Sequence, residues 1–182
     1  MVSGRGEEVQ GCWNVTTRGK DGVMKERGCS CPGSAMVDRR EQVQNDQETV
    51  GKVSSQLRQW PIQMHLIQPT APYYKGADVL LVADCVAFAL GGFHPDYLKG
   101  KAIAIACPKL DEGQEVYEEK IKAWLEDAKI NTLTVMIMEV PCCMGLFALA
   151  ESALAASKRK VPLKRIIVGL DGEIRHEDWV TA

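Results

Sequence analysis

Three short apolar runs in this chain each end in cysteine. Asp78-Val-Leu-Leu-Val-Ala-Asp84 leads to Cys85, and Lys101-Ala-Ile-Ala-Ile-Ala106 leads to Cys107. Thr132-Leu-Thr-Val-Met-Ile-Met-Glu-Val140 leads to Pro141, Cys142 and Cys143. Thiolates are soft donors, and four of them at three run ends suit a soft metal ion or an iron–sulfur cluster. The expected ligand set, for a metal or a cluster, is therefore Cys85, Cys107, Cys142 and Cys143. Cys29-Ser-Cys31 runs into Pro32-Gly33-Ser34 and adds two thiols at a tight turn. That turn could ligate or cap a cluster, or be a flexible loop with incidental thiols. Cys143 is expected at a helix N-terminus, where N–H groups and the helix dipole favour a thiolate. The competing reading of any one of these cysteines is a small buried apolar residue.

The runs themselves say how the thiols are positioned. Short β-branched apolar runs separated by helical patterns read as parallel strands buried on both faces. Ligands of open parallel sheets bind outside the carboxyl ends of the strands, which is where the cysteines fall. The expected fold is a three-layer, doubly wound α/β domain of the flavodoxin or Rossmann kind, with a mainly parallel five-stranded sheet. Its strands are expected at Ile62–Ile67, Asp78–Asp84, Lys101–Ala106, Thr132–Val140 and Leu163–Gly169. A short helix is expected over Ser54–Gln59, ended by Trp60-Pro61. The best helix follows Asp111–Gln114, with Tyr117, Ile121, Trp124, Leu125 and Ala128 on its buried face. A second runs from Met144 to Ser157 on Leu146, Phe147, Ala150, Ala153 and Leu154. Residues 1–52 read as an extended arm, 53–174 as the domain and 175–182 as a polar tail. His65 falls on the polar phase of its strand and reads as a surface or hydrogen-bonded residue.

Composition bounds the function. The chain has 182 residues, 46% of them hydrophobic and 25% charged, which is ordinary for a globular protein. A formal net charge of −2 gives no reason to expect nucleic acid or an anionic membrane as partner. No run approaches the ~18 apolar residues of a membrane span, and the first residues lack a secretory h-region. A cytoplasmic location is expected. Seven cysteines, an odd number without the spacing of a secreted scaffold, then point to metal, cluster or redox use.

Several motifs recur in order: Leu57-Arg-Gln-Trp-Pro-Ile-Gln-Met-His-Leu66, Ala71-Pro-Tyr-Tyr-Lys-Gly-Ala-Asp78, Ala83-Asp-Cys-Val-Ala-Phe88, Ala106-Cys-Pro-Lys-Leu-Asp111, Glu139-Val-Pro-Cys-Cys143 and Asp171-Gly-Glu-Ile174. Together they resemble the C-terminal domain of ferredoxin-like iron–sulfur-binding oxidoreductases of anaerobes. Cys29-Ser-Cys-Pro-Gly-Ser34 is similar to the segment that precedes that domain, with Ser30 in place of Gly. The N-terminal dicluster ferredoxin module of those proteins has no counterpart here, since no C-x₂-C-x₂-C run occurs. Met144 stands where the family usually has Gly. The resemblance implies an iron–sulfur cluster of the 4Fe-4S type and a component of an anaerobic electron-transfer system. It implies a ferredoxin-type or other redox protein as partner, and the chain could also pair with a second copy as a homodimer. No catalytic residue is assigned.

Other chemistries fit less well. Neither a P-loop nor GxGxxG occurs, and no aromatic-rich phosphate loop supports flavin. A nucleophilic Cys143 has no histidine near it in sequence, and the arginine of a phosphatase loop is missing. Zinc suits four thiolates, but only Cys29/Cys31 and Cys142/Cys143 are close pairs. The alternative function is a zinc-stabilised or metal-free interaction domain that docks a ferredoxin-type partner. Asp84, Lys109 and Asp111 flank the expected site and either tune its charge or cap turns.

Overall fold

The computed structural model describes residues 15–18, 24–27, 36–38, 40–41 and 53–180. The chain divides into two compact units, Met1–Ala35 and Met36–Ala182. In the first, β1 (Val15–Arg18) and β2 (Met24–Arg27) form an antiparallel pair in which Val15 faces Arg27. The extended or partly disordered arm expected over residues 1–52 included no such pair.

The second unit carries the α/β domain. It begins with β3 (Val37–Asp38), paired antiparallel with β4 (Gln59–Trp60). The main elements follow as β5 (Asp78–Ala83), α1 (Val86–Ala89), a π-type turn over Phe93–Leu98 and β6 (Ala102–Ala106). After these come α2 (Glu115–Glu126), β7 (Thr132–Met138), α3 (Met144–Ala156), β8 (Leu163–Val168) and β9 (Ile174–Val180). The sheet order is β6-β5-β7-β8-β9, parallel except for the β8–β9 pair. Strands β5 and β7 are apolar on both faces and almost wholly buried, as a sheet covered on two sides requires. Right-handed crossovers place the β5–β6 connection on one face and α2 and α3 on the other, where those two helices pack together. Both helices bury the faces expected of them.

Three expected elements differ. Ser54–Gln59 is not a helix. The chain runs extended there because Gln59 lies flat against the sheet edge, its Oε1 accepting from Ile103 N–H (3.0 Å) and its Nε2 donating to Ile103 O (2.8 Å). Ile62–Ile67 is not a strand. Gln63 makes a single parallel bridge to Ile105, after which the chain curls. The Lys120 ammonium holds the curl by donating to the carbonyls of Met64, His65 and Ile67 at 2.8, 2.8 and 3.0 Å. His65 lies against the Tyr117 ring, with centroids 4.7 Å apart. Finally, residues 175–180 are not a tail but most of β9. This strand is held by cross-strand charge: Arg165 grips Asp178 through two bonds of 3.1 Å, and Lys164 pairs with Glu177. The fifth strand of the sheet is therefore β9 rather than Ile62–Ile67.

Candidate functional site

Counted along the chain, the five strands stand in the order 2-1-3-4-5. The connection leaving β5 runs toward β6, while that leaving β7 runs toward β8 on the other side. The two therefore part, and a crevice opens beyond the carboxyl ends of β5 and β7. Cys85 follows β5, and Cys142 and Cys143 follow β7, so three of the four expected thiols belong to the two segments that border this switch point. Cys85 and Cys142 are exposed and Cys143 is buried; none is in a disulfide. Adjacent residues on a strand would point oppositely. Here the chain has already turned into a short 3₁₀ segment, Pro141–Cys143, which runs directly into α3.

The Cys143 thiol is pushed above the usual cysteine range, first by burial and then by the neighbouring Cys142 and Cys85 thiols. A backbone hydrogen bond at Met138 opposes the shift without cancelling it. Cys143 does stand at the start of α3, where the helix dipole was expected to favour a thiolate, and burial works against that charge. Without a bound cation Cys143 is a poor nucleophile. The same interactions place Cys85 and Cys142 within electrostatic reach of Cys143.

Cys107 ends the adjoining strand β6, half-buried, and is not among the groups acting on Cys143. Its turn is built by Asp111, whose Oδ2 accepts from Cys107 N–H (2.8 Å), Tyr117 O–H (2.5 Å) and Gln63 Nε2 (3.3 Å). Asp111 thus closes a turn, as one of its two expected roles required. The next residue in that turn, Pro108, leans on the start of α3: a Cβ on Gly145 would stand 3.4 Å from Pro108 Cβ. The close approach falls at Gly145, and Met144, the departure from the resembled family, is 43% exposed and clear of it.

Asp84, expected to flank the site, follows β5 directly. Its Oδ1 is buried with no hydrogen-bond partner, and burial, helped by the Asp111 charge, raises its pKa. Lys109 is exposed. Each of the four segments leaving this edge also carries one exposed large apolar side chain: Phe88, Leu110, Met144 and Leu170. The β8–β9 turn is clamped to the end of β7 by Arg175, bonded to Glu139 (3.0 Å) and Asp171 (2.6 Å). Among the described residues, no group of three or more His, Cys, Asp or Glu is arranged to hold a metal ion. Cys12, Cys29 and Cys31 lie outside the described residues.

A family model described as a Rossmann-like domain matches residues 71–181. The chain belongs to that family. It is also 30% identical over 120 residues to an uncharacterized protein of Archaeoglobus fulgidus, an alignment covering 65% of this chain and 83% of the relative. No solved structure matches the chain. The Rossmann-like match agrees with the sheet order and begins just before β5, so every strand that borders the crevice lies inside it. No helix among the described residues is long and apolar enough to cross a membrane.

Proposed function

We propose that the crevice at the carboxyl edge binds an iron–sulfur cluster, and that the domain passes electrons to or from a redox protein in the cytoplasm. The observation that supports this reading is the meeting of Cys85, Cys142 and Cys143 at the switch point of the sheet. Cys107, one strand over, is the fourth candidate ligand. The donor set suits a cluster better than a single ion. In a 4Fe-4S cluster each thiolate takes a different iron, so the sulfurs stand farther apart than around one zinc. A bound cluster supplies one-electron chemistry. The chain contributes the thiolates, the burial around Cys143 and, in the exposed side chains of Phe88, Leu110, Met144 and Leu170, an apolar rim for a ferredoxin-type partner.

The test is anaerobic purification and reconstitution with iron and sulfide, read by visible absorption, electron paramagnetic resonance and metal analysis. The expected result is a brown protein with stoichiometric iron and sulfide, lost in Cys142→Ser. Colourless protein after reconstitution overturns the proposal. Stoichiometric zinc favours a zinc-stabilised docking module, and no metal at all one whose thiols fill space.

A further inference from the structure

At the opposite edge of the sheet, the amino ends of β5 and β6 open onto a cavity of about 490 Å³. Its lining includes five cations, Arg40, Arg58, Lys75, Lys99 and Lys101, and no carboxylate. Composition does not explain this gathering, because the whole chain is formally −2. Two of the five are engaged. The Arg40 guanidinium lies 2.8 Å from Asp38, and Lys101 Nζ donates to Tyr97 O at 3.1 Å. Among the described residues, the side chains of Arg58, Lys75 and Lys99 have no hydrogen-bond or ion-pair partner. Unpaired like charges around one cavity repel, and an anion between them removes that cost.

Two further features fit a ligand. Tyr73 also lines the cavity, and its hydroxyl, buried behind that wall, has no hydrogen-bond partner. Gly76 and Gly100 also line the cavity. A Cβ on either would meet nothing within 4 Å, so the space beside them is open. The geometry points to a binding site for a phosphorylated small molecule, its phosphate oxygens taken by Arg58, Lys75 and Lys99. The volume is that of an ordinary small-ligand pocket. A guanidinium fork with lysine point charges is the usual phosphate-binding combination. The site uses no glycine-rich loop, so no motif announces it. It lies at the far ends of the strands from the thiols and stands or falls independently of them.

The experiment is calorimetric titration of the full chain at low salt, with ATP and with inorganic triphosphate. Both are expected to bind. Arg58→Gln and Lys99→Gln are each expected to weaken binding about tenfold, the loss of one charge-assisted hydrogen bond. Lys158→Gln, outside the cavity, should leave affinity unchanged. Tighter binding of ATP identifies a nucleotide, and equal binding identifies the phosphate chain alone; either upholds the site. The Arg58→Gln/Lys99→Gln double variant removes repulsion and should melt no lower than the parent, so its affinity is readable. Absence of binding by both anions at millimolar concentration, or unchanged affinity in the double variant, overturns the inference.

Discussion

Replacing Asp111 with alanine tests whether the Cys107 turn is held by one carboxylate. Asp111 Oδ2 accepts two good hydrogen bonds, from Cys107 N–H at 2.8 Å and Tyr117 O–H at 2.5 Å, and a longer one from Gln63 at 3.3 Å. A hydrogen bond to a charged group is worth about 1.5–3 kcal/mol, and a buried donor left alone costs about 1–3 kcal/mol. Water can reach the half-exposed Cys107 turn, whereas Tyr117 is fully buried. Most of the loss therefore falls on the tyrosine, and the sum comes to about 2–3 kcal/mol. For a chain of this length that is about 5–10 °C in Tm. Asp111→Asn keeps an acceptor and should lose about 1 kcal/mol. The Tyr117 pKa, raised first by burial and then by its bond to Asp111, should fall in both variants, which phenolate absorbance reports. The assay is thermal melting followed by circular dichroism. A Tm change of less than about 1 °C in Asp111→Ala would refute the reasoning.

Asp84→Asn should raise Tm at neutral pH. Burial raises the folded pKa of Asp84, so the folded state carries a penalty above that pKa, and the penalty disappears as pH falls through it and toward the unfolded value of about 3.9. Melts of parent and variant should thus converge in acid, and a constant offset across pH would refute the assignment. Gly172→Ala should cost at least about 2 kcal/mol, because Gly172 has φ +83° and a Cβ there would stand 2.5 Å from Ala89 O. Gly76→Ala, at φ +60° with nothing within 4 Å, should cost only about 1 kcal/mol; equal denaturant midpoints would contradict the contrast. Iron loading should weaken as pH falls, since Cys143 must release its proton to bind and its pKa is already raised. Iron content after reconstitution across a pH series measures this. Cys107→Ser is expected to lose iron as Cys142→Ser does, while Cys12→Ser keeps it; full iron in Cys107→Ser would remove Cys107 from the ligand set.

The parallel strands were legible because burial on both faces leaves a nearly unbroken apolar run, as in Val79–Ala83 and, with Thr134 the one polar residue, Leu133–Met138. The faces of α2 and α3 were legible because a single buried stripe repeats at helical spacing. Reading failed where side chains at a distance decide the backbone. Nothing local in Ile62–Ile67 tells that Lys120, more than fifty residues later, collects three of its carbonyls. Nothing local in Ser54–Gln59 tells that Gln59 will pair with both backbone groups of Ile103. In β9, Arg175-His-Glu-Asp178 looks like solvated tail because its support is charge from β8 rather than apolar alternation. The thiols at the strand ends were visible by type and spacing. That Cys143 would be buried enough to resist ionisation was not, since desolvation belongs to the packed fold.

Among the described residues, three buried side-chain polar atoms lack a partner: Tyr73 Oη, Asp84 Oδ1 and Trp124 Nε1. Buried polar groups are normally satisfied, so each exception asks for a cause. Trp124 lies in the core, and nothing in its surroundings explains it. The other two belong to opposite ends of the sheet, Asp84 next to Cys85 at the carboxyl edge and Tyr73 in the wall of the cationic cavity. Packing alone would remove such costs cheaply, with an asparagine at Asp84 or a phenylalanine at Tyr73. Their presence at the two places where charge and donors already converge is what ligand binding at those places would require, and both substitutions are open to direct measurement. Tyr73→Phe removes a buried hydroxyl without a partner and should melt at or above the parent temperature; a lower Tm would show that the hydroxyl serves the fold.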